Sequence, residues 1–203
     1  LPYKENYTYN AAGAVSLFVN DILRVSNYKK TSKVYGSTNY KKYLSSNYRN
    51  IKINKNLLQS SNYEYVSNFI KINKALDSDL IEVHNRPKYI NQIRKKFSNK
   101  LFLYFHNDPL SMDGSKIASE RINLINSVDK LIFNSEWSRD RYFINLENKQ
   151  QLLDKTDICF QSASKAKINF KKKKKIISFV GKLNRAKGYD IFGNAIIKIL
   201  DKH

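Results

Sequence analysis

The chain has 203 residues, 41% hydrophobic and 13% aromatic, which suits one buried core plus part of another and excludes a disordered polymer. No apolar run approaches the roughly 18 residues that cross a bilayer. The net charge of +20, from 37 Lys and Arg against 17 Asp and Glu, predicts attraction to nucleic acid, anionic lipid headgroups or phosphorylated substrates. Lysine, asparagine, isoleucine and tyrosine are abundant throughout, so only a clustered basic surface is informative. The early apolar run Ala11 to Val19 follows a polar segment and has no basic leader, so no signal peptide is expected. The single cysteine, Cys159, has no internal disulfide partner, and a reducing cytosol fits.

In chain order, Ala11 to Tyr28 predicts a helix entered at Gly13, with Val15, Phe18, Ile22 and Val25 on its apolar face. Lys33 to Gly36 and Asn50 to Ile53 read as short strands. Asn62 to Leu76 repeats Val66, Phe69, Ile70 and Leu76 at helical spacing. Leu80 to His84 is a strand, and Pro87 suits the first turn of a helix reaching about Phe97. Leu101 to Phe105 is almost continuously apolar, as in a strand covered on both faces. A helix follows over Ser115 to Ser127, then a buried strand over Leu131 to Phe133. Ser135 is placed to cap the next helix. This alternation predicts an α/β fold with a doubly wound parallel sheet over residues 1–165. Residues 166–175, ending in five lysines, read as an inter-domain linker. Residues 176–203 read as the first strand and helix of a second, Rossmann-like domain.

Ligands of open α/β sheets bind beyond the carboxyl ends of the strands. Gly13, His84-Asn85-Arg86, His106-Asn107-Asp108, Asn134-Ser135-Glu136 and Gly181-Lys182 all fall there. His106 is the sharpest, because it ends the most apolar strand. The run Ile176 to Val180 ends in Gly181-Lys182, and Lys187-Gly188 then opens an amphipathic helix. That order sets two cations and a helix start around an anion. Lysine in place of arginine keeps the charge and loses the bidentate fork. No Cys/His cluster suits zinc, and Asp108 is followed by Pro109 rather than forming an Asp-x-Asp metal motif.

These residues resemble the retaining glycosyltransferases of family 4 (group 1), which have the GT-B fold. Gly181-Lys182-x4-Lys187-Gly188 is similar to the family's donor-diphosphate segment. Tyr104 to Pro109 looks like the segment whose histidine meets the donor sugar, Phe133 to Ser138 like its (V/F)-x-S-E stretch, and Ala12 to Ala14 like its first glycine loop. The resemblance implies a hexosyltransferase that takes a nucleotide-sugar donor and a glycan or lipid-linked acceptor in lipopolysaccharide or other cell-surface synthesis. It implies His106 as catalytic and Gly13, Gly181, Lys182, Lys187 and Gly188 as donor-binding. His84, Asn85, Asn107, Asp108, Ser135 and Glu136 would line the cleft. No cofactor or metal is expected, nor a specific nucleic acid. The location would be cytoplasmic, with peripheral contact to an anionic membrane. The family's first strand and its Glu-x7-Glu stretch find no counterpart, so a fragment inactive by itself is expected. Two rivals remain open: a basic nucleic-acid-binding protein using its fourteen tyrosines for stacking, and a truncated binding module of the same fold.

Overall fold

A computed structural model describes residues 1–53, 60–73, 78–162, 176–181 and 183–201. The chain divides into two compact units, Leu1–Ala163 and Ser164–His203. The lysine-rich stretch expected as a linker, Leu76 and Lys182 lie outside the described residues.

The first unit is mixed α/β. Its elements are α1 (Ala14–Val25), β1 (Val34–Gly36), β2 (Tyr48–Asn50), α2 (Ser61–Asn73), β3 (Leu80–His84), α3 (Tyr89–Arg94) and β4 (Lys100–Phe105). There follow α4 (Ala118–Ser127), β5 (Lys130–Phe133), α5 (Glu136–Phe143), α6 (Lys149–Leu153) and β6 (Thr156–Ile158). Strands β3, β4, β5 and β6 form a parallel sheet in that order, with Ile81 opposite Leu101 and Leu103 opposite Leu131. β1 and β2 form a separate parallel pair.

Strand alternation divides the four-stranded sheet into two unlike faces. Ile81, Val83, Leu101, Leu103, Phe105, Leu131 and Phe133 are buried in one cluster with Ile90 and Ile93 of α3, Leu124 and Ile125 of α4, and Tyr142 and Phe143 of α5. Strands taken in steadily advancing order, with right-handed crossovers, put successive helices on one face. The opposite face carries Leu80, Glu82 and His84 beside Phe102 and Tyr104. Leu80 is 39% exposed there and Phe102 is half-buried. So β4 is not covered equally on both faces, contrary to its apolar reading. The described strands show a parallel α/β sheet whose four strands advance in one direction, with β1 and β2 paired apart from it.

Three further expectations shift. The buried face of α1 is Val15, Ser16, Phe18, Asn20 and Leu23, while Ile22 and Val25 are exposed. Asn20 tolerates burial because the Tyr7 hydroxyl donates to its Oδ1 at 3.1 Å. The second strand ends at Asn50 rather than beginning there, although Ile51 is buried beyond it. α6 and β6 carry no strong periodicity and escape the sequence reading.

In the second unit, residues 176–180 form no strand among the described residues. A strand exists only by pairing with a neighbour, and apolar composition alone supplies none. The expected helix is present as α7 (Tyr189–Leu200), with Ile191 73% and Ile197 57% exposed. Phe179 touches Phe192 with ring centroids 5.5 Å apart. Among the described residues, no helix is long and apolar enough to cross a membrane.

Candidate functional site

The carboxyl ends of β3 and β4 place His84 and His106 side by side. His84 Nδ1 lies 3.0 Å from His106 Nε2, and both rings are buried. Tyr104 stacks against both, with centroids 5.2 Å from His84 and 5.1 Å from His106. Phe18 of α1 meets the His106 ring edge-on at 4.9 Å. Phe18 also meets Tyr104 edge-on at 5.3 Å, so α1 covers this end of the sheet face.

Burial disfavours charge on both rings. It pushes the His106 pKa down to about 3, and the neighbouring His84 adds to the effect. Burial also lowers the His84 pKa, opposed by Glu82, whose Oε2 lies 3.7 Å from His84 Nε2. At neutral pH this is a pair of uncharged imidazoles.

The surrounding amides fix the backbone. Asn85 adopts a left-handed conformation (φ 57°), which asparagine tolerates better than most residues. Its N–H donates to the Tyr104 carbonyl at 2.7 Å, and its Oδ1 accepts from the His106 N–H at 3.1 Å. Asn134 Nδ2 donates to the His106 carbonyl at 2.9 Å. Ser135 accepts from the Ser138 N–H at 3.2 Å and so caps α5, as its position predicts. Glu136 occupies the first turn of that helix, where its charge complements the dipole.

Asp108 is committed elsewhere. Its carboxylate meets Arg141 Nε and Nη2 at 3.3 and 2.9 Å and accepts from the Leu110 N–H. The Arg141 guanidinium holds its carboxyl below the usual range. It therefore ties the loop after β4 to α5.

Gly13 stands at the start of α1 with ordinary extended backbone (φ −80°). A Cβ there would run into the Glu5 carboxylate, which accepts from the Ser16 N–H at 3.2 Å. Space for that carboxylate, not backbone freedom, explains the glycine.

A cleft of about 670 Å³ opens between α2 and the loops after β3 and β4. Tyr63, Asn85, Arg86, Lys88 and Asn107 line it, whereas His84 and His106 do not. Amides, an aromatic ring and cations suit a hydroxyl-rich or anionic ligand. Among the described residues, no group of three or more His, Cys, Asp and Glu is placed to hold a metal ion.

In the second unit, Asn184 caps a short 3-10 turn, Arg185–Lys187, by accepting from the Lys187 N–H at 3.1 Å. Gly188 takes φ +71° between this turn and α7, a conformation that does call for glycine. Lys187 and Gly181 are exposed.

Sequence reasoning missed Phe18, Glu82 and Gln161 as neighbours of the histidines. Spacing of two on β3 puts Glu82 on the His84 face and could have found it. Gln161 reaches His106 only through the sheet. No protein-family model and no curated protein matches the chain.

Proposed function

We propose that the chain is part of a metal-independent retaining glycosyltransferase of the GT-B type, similar to family 4. It would move a sugar from a nucleotide-sugar to a glycan or lipid-linked acceptor of the cell surface. The observation that carries this reading is His106, an uncharged imidazole at the end of β4, whose next residue, Asn107, lines a cleft of about 670 Å³. A neutral ring can hydrogen-bond a sugar without attracting the diphosphate away from its cations. Lys182 and Lys187 would supply those cations, since negative charge builds on the departing nucleoside diphosphate in the transition state. Arg86 and the amides of the cleft would face the acceptor. A doubly wound first domain and a second Rossmann-like domain belong to the same proposal, as do a cytoplasmic location and peripheral contact with an anionic membrane.

Calorimetric titration with UDP, GDP and ADP tests the reading. In a full-length enzyme one of the three should bind, and Lys187→Ala should weaken it by about 1.5–3 kcal/mol, the range for hydrogen bonds to charged groups. No heat with any diphosphate, together with DNA binding that survives physiological salt, would favour the nucleic-acid reading instead.

A further inference from the structure

The two histidines belong to a longer chain of contacts that runs through the sheet. From the exposed side, Glu82 Oε2 stands 3.7 Å from His84 Nε2, and His84 Nδ1 stands 3.0 Å from His106 Nε2. At the far end, His106 Nδ1 lies 3.4 Å from the side-chain nitrogen of Gln161, just past β6. Glu82 and Gln161 are both accessible, whereas the imidazoles between them are buried.

Each end dictates a proton position, and the two agree. An amide nitrogen can only donate, so His106 Nδ1 must accept and its ring proton sits on Nε2. That N–H then donates to His84 Nδ1, which leaves the His84 proton on Nε2, facing a carboxylate that can only accept. Reversing the chain would point a lone pair at Glu82 and a second N–H at the Gln161 amide. Both ends would then be repulsive.

We infer that Glu82 is a positioning residue. Through His84 it fixes His106 in the tautomer that offers Nδ1 as a hydrogen-bond acceptor. The Gln161 amide nitrogen faces that acceptor at 3.4 Å. The group that replaces it must carry a proton, as a hydroxyl does; a phosphate oxygen without one has nothing to give a lone pair. The assignment of that hydroxyl to a sugar rests on the proposed function, whereas the tautomer itself does not.

Long-range proton–nitrogen correlation spectra of the whole chain, labelled with ¹⁵N-histidine, read this directly at neutral pH. Wild-type His84 and His106 should each carry their proton on Nε2. In Glu82→Ala, which removes an accessible side chain, His84 should become a mixture of tautomers and His106 should follow it. A wild-type His106 protonated on Nδ1 would overturn both the relay and the hydroxyl preference. Unchanged tautomers in Glu82→Ala, with the amide fingerprint intact, would remove Glu82 from its role. Neither result depends on any sugar being bound, so the relay can fail while the transferase reading stands, and the reverse.

Discussion

Two neutral imidazoles held 3.0 Å apart make acid a specific stress on this chain. His106 titrates at about 3 when folded, against the ordinary 6.5 of an exposed histidine. Below 6.5 the unfolded chain therefore binds a proton that the folded chain refuses, and stability falls as pH falls. The window runs from about pH 6.5 down to about 3, at no more than about 1.4 kcal/mol per pH unit for each such ring. The lowered carboxyls of Asp108 and Asp129 add their own loss only below about pH 4, whereas the Leu1 amino group, pushed down to about 5 by burial, adds a loss of the same sign in the upper part of the window. Melting temperature should drop between pH 7 and pH 5, and the double variant His84→Phe/His106→Phe should make that slope shallower, leaving the part that the buried Leu1 amino group contributes. An equally steep slope in the double variant would place the acid sensitivity elsewhere. His106 was legible in the sequence because a histidine closing an apolar run has few places to go but the end of a buried strand. Glu82 was overlooked although its spacing of two from His84 on β3 marks it, and Gln161 was not legible, because the path of the chain after β6 brings it to the pair and leaves no local pattern.

The start of α1 shows how one element can depend on a distant side chain. Glu5 accepts from the Ser16 N–H, and the absence of a side chain at Gly13 leaves room for its carboxylate. Glu5→Ala should cost about 1 kcal/mol, the usual value of a lost helix cap. Gly13→Ala should push the carboxylate away and lose the same bond, with a smaller added cost from alanine at the cap position. The double variant should then cost clearly less than the sum of the two, as measured by urea melts. Strict additivity would show that the two residues do not share one interaction. Elements of this kind were only partly legible. β3, β4 and β5 were placed within a residue or two, because their buried faces leave a strong apolar signal. α1 was found, but its phase was misread: Ile22 and Val25 fit the period yet face solvent, while Ser16 and Asn20 are buried. The run 176–180 has strand composition without a strand partner among the described residues, and pairing is a property of the neighbours rather than of the segment.

At the scale of the whole molecule, charge sets the strongest expectation. With 37 basic residues against 17 acidic ones, mean repulsion opposes the compact state. The ion pairs that could offset it are mostly exposed: Lys88–Asp113 at 3.1 Å and Lys116–Asp113 at 2.6 Å share one carboxylate at the surface. Pairs of that kind contribute little, because water screens the charges and the long side chains lose freedom in holding them together. Salt screens both effects, with a Debye length of about 30 Å at 0.01 M and 8 Å at 0.15 M. Repulsion acts over the longer distances and is screened first, while contact pairs at about 3 Å keep most of their attraction. Raising sodium chloride from about 0.01 to 0.15 M should therefore raise the melting temperature at neutral pH. The same screening should release random-sequence DNA, because a purely electrostatic contact weakens steeply over that range. Calorimetric melts and an anisotropy titration in one salt series check both. A melting temperature that falls as salt is added would mean that ion pairs outweigh the excess positive charge.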